Sequence, residues 1–259
     1  MERRLLNKIA FVTGAARGIG FATTKLFLAQ GAIVVASDKD LSVLEDACKD
    51  FDSNLRNRIT TMEVNTTNEF QVQEAIDWTV QKFGRIDILI NNAGMNVFED
   101  PLTLTEDVWE KCFSINLKGA WNCSQAALKY MVKQEYGNIV NIASVHGHSI
   151  IKGCFPYPVA KHGLIGLTKA LGIEYAGINI RVNSISPGLI LTHAIEKSFQ
   201  NADDPQAEIQ KQLDILPCKR IGDPIEVAFT ALFLASDEAR FINATDIKID
   251  GGRSAVYHD

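Results

Sequence analysis

The sequence predicts an α/β fold: a doubly wound parallel sheet of about seven strands with helices on both faces. Three observations predict it. Short apolar runs alternate with helix-like patterns along the whole chain. Those runs are almost unbroken instead of half polar, which is the mark of strands buried on both faces. No linker, low-complexity tract or repeat interrupts the alternation, so residues 1–259 read as a single domain.

Residues 8–14, KIAFVTG, form the first expected strand and end at a glycine turn. Residues 20–30 carry apolar side chains at helical spacing, and Gly31 stops them. Strand 32–37 ends at Asp38. A helix over 41–51, a strand over 58–64, a helix over 70–84 and a strand over 86–94 follow, the last breaking at Asn-Asn-Ala-Gly. One long helical region covers 105–134, and the next strand, 137–144, ends at Ser144. Pro156 and Pro158 suit the first turn of a helix that runs to about Ala176, since a missing amide proton costs little there. Strand 179–186 ends at Pro187-Gly188. Asp223, Pro224 and Glu226 combine an N-cap, Pro at N1 and Glu at N3, opening a helix through Leu234. Strand 246–252 closes the set. Segment 189–217 is the least regular and reads as a substrate-covering loop or a surface insert.

Composition narrows the function. Apolar content of 46% supports a sizeable core, and 22% charged residues is ordinary for a soluble globular protein. A net charge of −5 gives no reason to expect nucleic acid or an anionic membrane as partner. No apolar run approaches the length of a membrane span, and the start runs directly into a strand, so no signal peptide is expected. Five scattered cysteines without a Cys-x-x-Cys pair suit free thiols in a reducing cytoplasm. The histidines lack metal-ligand spacing, so no metal site is expected; His146 and His148 read as part of a loop lining a substrate pocket.

Two constellations carry chemistry. Tyr157 and Lys161, four residues apart, share one helix face, with Ser144 thirteen residues upstream. A phenol is a poor base near neutrality, and a neighbouring ammonium favours its ionised form. The trio is a proton-transfer unit with a hydroxyl to hold a reacting oxygen, although Tyr-x-x-x-Lys alone also describes a plain helix face. The turn Gly14, Arg17, Gly18, Ile19, Gly20 joins the first strand to the first helix. Glycines there admit a pyrophosphate to the helix N-terminus. Asp38, eighteen residues past Gly20, is placed to accept the ribose hydroxyls of an adenosine, or to cap a turn.

With TGAARGIG (13–20), NNAG (91–94), Asn116 in SINLKG, Ser144, YPVAK (157–161), PGLILT (187–192) and DGG (250–252) in this order, the chain resembles the short-chain dehydrogenase/reductase family over its full length. The resemblance implies a Rossmann-type domain and a catalytic tetrad of Asn116, Ser144, Tyr157 and Lys161. Ser144 would bind the substrate oxygen and Tyr157 would exchange its proton. Lys161 would hold the nicotinamide ribose and lower the tyrosine pKa. Asn116 would fix a water leading from Lys161, and also reads as a helix kink. Asn92 would pack near the adenosine ribose, with Asn65 and Thr66 near the adenine. Ile190 and Thr192 would meet the carboxamide, though Thr192 equally suits a helix cap. Asn65 replaces a common aspartate, and its amide oxygen can still accept from the adenine amino group. Ala244 replaces a common glycine, which leaves the backbone there in question.

The resulting expectation is a homotetrameric, NAD-dependent oxidoreductase acting on a small sugar, polyol or similar alcohol, with NADP disfavoured by Asp38. A 3-oxoacyl-carrier-protein reductase is the alternative, with a docking surface among Lys197, Lys211, Lys219 and Arg220. A non-catalytic nucleotide sensor on the same fold is an alternative of another class. The tail 254–259 is read either as reaching a neighbouring subunit or as frayed.

Overall fold

A computed structural model describes residues 3–257; His258 and Asp259, the end of the tail, lie outside the described residues. Its centre is a seven-stranded sheet in the order β3-β2-β1-β4-β5-β6-β7, every neighbouring pair parallel. The strands are β1 (Ile9–Thr13), β2 (Ile33–Asp38), β3 (Ile59–Glu63), β4 (Ile88–Asn91), β5 (Gly137–Ile142), β6 (Ile180–Pro187) and β7 (Asp246–Ile249).

Alternation along the strands builds two cores. Ala10, Val12, Val34 and Ala36 face one side with Ile88 and Ile90. There they meet α1 (Gly18–Ala29) and α10 (Pro224–Ala235), which pack against each other. Phe11, Val35, Leu89 and Ile139 face the other side. They meet α4 (Glu69–Phe83), α6 (Gly119–Met131) and α7 (Tyr157–Glu174). Successive side chains in a strand point to opposite faces, so apolar residues at every position demand cover on both sides.

The order reverses between β1 and β4, both central. A doubly wound sheet opens a crevice at that point, beyond the carboxyl ends of its strands. Asp38, at the end of β2, and Gly14, Asn65 and Asn92, one or two residues past β1, β3 and β4, gather there around a cavity of about 510 Å³.

Several expected elements differ in detail. The helix expected over 41–51 ends early as α2 (Leu41–Cys48), and a further short helix, α3 (Ser53–Arg56), follows, capped by Asp52 accepting from Leu55 N–H at 2.9 Å. The long helical region over 105–134 is α5 (Glu106–Phe113), a π turn over Ser114–Lys118, then α6. Segment 189–217 is mostly helical: α8 (His193–Gln200) and α9 (Pro205–Ile215). Asp204 caps α9 by accepting from Gln206 and Ala207 N–H, and Pro205 occupies its first turn. Ser144 lies two residues beyond β5 instead of ending it. Pro158 sits in the first turn of α7, while Pro156 is its N-cap.

Candidate active site

Burial and backbone geometry together set the Ser144, Tyr157 and Lys161 group. Ser144 is extended, and its Oγ accepts from His146 N–H at 3.1 Å, starting the short turn Val145–Gly147. Tyr157 opens α7 and is almost fully buried, with Phe98 and His146 meeting its ring edge to face at 5.8 and 5.9 Å. One turn later, Lys161 is buried with its Nζ 5.5 Å from the centroid of the Tyr157 ring, and it donates to Ile142 O at 2.9 Å. Burial disfavours charge on either group. It pushes the Tyr157 phenol up to about 12, opposed by the Ser144 hydroxyl, and pulls the Lys161 ammonium down to about 8. The expected lowering of the phenol pKa is thus outweighed by desolvation.

Asn116 lies in the π turn, where Gly119 N–H donates to Ser114 O, five residues back. Its Oδ1 accepts from Met95 N–H at 3.0 Å, and its Nδ2 donates to Met95 O and Cys112 O. The kink and the clamp are linked: widening one turn lets the side chain grip the strand-end loop after β4. A side chain on Gly94 would lie 3.1 Å from Asn116 Oδ1 and 3.7 Å from Lys161 Nζ, so both reach one spot. Both side-chain Nδ2 donors of Asn116 are taken by protein, while Oδ1 accepts a single bond and keeps a second acceptor site.

The nucleotide side fits a dinucleotide. Gly14 and Gly18 both have left-handed backbones, with φ of 62° and 54°. A Cβ on Gly20 would fall 2.2 Å from Gly14 O, and one on Gly14 would fall 2.9 Å from Ala93 Cα. Asn92 Nδ2 ties this turn down by donating to Thr13 O and Gly14 O. Arg17, the N-cap of α1, makes no side-chain cap, in contrast to Asp40, Asn68 and Asp223 at their helices. The first amides of α1 therefore remain available for an anion, which the helix end favours.

Asp38 is held at the end of β2. Its Oδ2 accepts from Ala16 N–H at 3.1 Å and its Oδ1 from Asp40 N–H at 3.2 Å. Arg17, Lys39 and Asp40 line the same end of the cavity. The Asp40 carboxyl is held below its usual value by the Ser42 hydroxyl and the Val43 amide, with Arg17 and Lys39 adding to the effect.

Other candidates divide. Ile19, Thr66 and Thr192 line the cavity. Asn65 does too, but its Oδ1 is already taken by Thr67 N–H and hydroxyl at 3.1 and 2.9 Å, which makes it a turn former. Thr192 stands at the N-cap of α8, which starts at His193 as the helix-cap reading has it, but without a side-chain cap bond. Ile190 is buried in the core beside Gly222, and its side chain does not line the cavity. His146 packs on Tyr157, whereas His148 turns away to pair with Asp246 of β7 at 2.7 Å. Lys111 and Ile115 line the cavity unforeseen; their spacing of four, ending one residue before Asn116, was the available signal.

A sheet of this order, a glycine cradle and a buried Ser-Tyr-Lys group define a nicotinamide-dependent oxidoreductase of the short-chain class. Comparison with known proteins agrees. A family model described as enoyl-(acyl carrier protein) reductase matches residues 14–254. The chain is 41% identical over 249 residues to the 3-oxoacyl-(acyl-carrier-protein) reductase FabG of Thermotoga maritima, covering 96% of this chain and 98% of that one. It is 35% identical to levodione reductase of Leifsonia aquatica, covering 98% and 97%. The aldohexose dehydrogenase of Thermoplasma acidophilum superposes with a TM-score of 0.90 at 31% identity, covering 100% and 98%. The chain belongs to the short-chain dehydrogenase/reductase family and acts on CH–OH or carbonyl groups with a nicotinamide cofactor.

Proposed function

We propose that this single-domain enzyme uses NAD to interconvert a secondary alcohol and a ketone on a small polar substrate such as a sugar or polyol. The observation that carries the cofactor reading is the fixed carboxylate of Asp38. Two amides hold it at the adenosine end, so it cannot readily swing aside. A 2′-phosphate there would meet a like charge, at a cost of several kcal/mol at about 4 Å and an effective dielectric near 20. Among the charged residues lining the cavity, Asp38 and Asp40 offset Arg17 and Lys39, leaving Lys111 as the remaining cation.

The bound nicotinamide supplies the hydride acceptor or donor. Ser144 holds the substrate oxygen, and Tyr157 takes its proton during oxidation or returns one during reduction. Lys161, one turn after Tyr157, would hold the nicotinamide ribose hydroxyls. Asn116 sets the loop after β4 through its grip on Met95, and Thr192 with α8 covers the nicotinamide end.

Likeness to a carrier-protein reductase favours a second reading, reduction of 3-oxoacyl thioesters. An acyl-carrier partner would want a basic docking surface near the cleft. Lys211 pairs with Glu208, Arg220 with Glu226, and Lys219 donates to Asp214 O. The ion pairs at Lys211 and Arg220 reduce the free basic charge there, which favours the free polar substrate. For assembly we infer a homotetramer in the cytoplasm. Within 164–173 the chain itself covers Leu164, Ile165 and Leu171, so a second apolar face there is narrower than the sequence suggests. Val159 and Ile173 on α7 and Trp121 on α6 remain exposed. Initial rates on sugars, polyols, steroids and 3-oxoacyl thioesters with each cofactor test the assignment. Turnover confined to thioesters would replace it with the second reading.

A further inference from the structure

His146 has no role in the proton transfer described above, yet it is built into the same site. Its amide N–H bonds Ser144 Oγ, and its ring stands edge-on to Tyr157 at 5.9 Å and tilted to Phe98 at 6.5 Å. The two ring nitrogens differ. Nδ1 is buried without a hydrogen-bond partner among the described residues, whereas Nε2 is the accessible nitrogen of a half-buried ring. An unpaired buried N–H is the least tolerated of orphaned polar groups, so the proton belongs on Nε2 and Nδ1 keeps a lone pair. Charging the ring would protonate both nitrogens and strand one of them. Burial, with the Arg253 charge in support, also lowers the imidazole pKa from its usual value. The ring is a neutral donor.

We propose that His146 is a specificity-determining residue whose Nε2–H binds an oxygen on the carbon next to the one that reacts, selecting vicinal diols and α-hydroxyketones over simple alcohols. Ser144 holds the reacting oxygen, and His146, two residues on and against the same phenol, stands where a neighbouring oxygen would lie. Phe98, 46% exposed, packs against both the His146 and Tyr157 rings and adds apolar surface beside this donor. The proposal rests on the polar-alcohol reading of the site.

Two measurements test it. The first compares 2,3-butanediol with 2-butanol as substrates, with NAD, for the wild type and His146→Phe. Loss of one neutral hydrogen bond should cut the diol-to-monool ratio of kcat/KM about five- to tenfold, mainly through the KM of the diol. His146→Gln, which keeps an N–H donor, should recover part of it. A ratio that stays the same in His146→Phe overturns the proposal. The second reads the ring nitrogens by 15N NMR at neutral pH. A neutral ring protonated on Nε2 is expected, and an imidazolium or an Nδ1–H tautomer overturns the proposal. If the wild type oxidises neither alcohol, the polar-alcohol reading fails, and the NMR result still decides whether His146 is the donor described.

Discussion

Lys161 Nζ sits 5.5 Å from the centroid of the Tyr157 ring, with both residues buried and the lysine bonded to Ile142 O. A cation without a carboxylate partner among the described residues is a cost to the fold, and the proposed role in the site would account for it. Desolvation brings Lys161 down to about 8 from 10.5. Between those values the unfolded chain binds more protons than the folded one, so stability rises with pH across that window. Lys161→Met should therefore stabilise the protein at pH 7 by up to about 3 kcal/mol, at about 1.4 kcal/mol per pKa unit, while abolishing turnover. Denaturant unfolding of both proteins at pH 7 and pH 10 checks this. The gain should shrink at the higher pH.

Tyr157→Phe keeps the ring that Phe98 and His146 pack against and removes the proton carrier. Turnover should fall at least about a hundredfold, with thermal stability and cofactor affinity nearly maintained. Near-normal turnover in a folded variant would remove Tyr157 from the mechanism.

The phenol pKa of about 12 also sets a direction for pH dependence. Oxidation needs Tyr157 ionised, and below that pKa the ionised fraction grows about tenfold per pH unit. Alcohol oxidation should climb between about pH 7 and 9, whereas carbonyl reduction, which needs the neutral phenol, should not. Rate profiles in the two directions separate these outcomes.

Ala244 has φ of 54°, and its Cα would be 2.9 Å from a Cβ on Gly172. Left-handed backbone costs an alanine roughly 1–2 kcal/mol, against about 0.5–1 kcal/mol of extra chain entropy for glycine. Ala244→Gly should stabilise by up to about 1 kcal/mol, measurable as a shift in the denaturation midpoint.

Much of this was legible in the sequence because strand burial leaves a local record. Runs such as AIVVA (32–36) and ILI (88–90) are apolar at every position because both faces are covered. The glycine turn and the Tyr-Lys spacing are likewise local. What escaped depended on contacts distant in sequence or on competing local signals. The π turn at Asn116 exists because its side chain reaches Met95, 21 residues away. The helices of 189–217 were hidden by polarity, although Asp204-Pro205 repeats the start signal recognised at Asp223-Pro224. The direction of the Tyr157 shift required the depth of burial, which no motif records. Ile190 matches its motif, and its side chain lies in the core.

The central claim is NAD-dependent oxidation of a polar alcohol, and the fixed carboxylate of Asp38 is its most exposed point. Steady-state kcat/KM with NAD and NADP on the best polyol, for the wild type and Asp38→Ala, tests it most directly. The account predicts at least about tenfold preference for NAD in the wild type, narrowed in Asp38→Ala chiefly by loss of NAD efficiency. Equal efficiency, or a preference for NADP in the wild type, would contradict it and give Arg17 and Lys39 the deciding role.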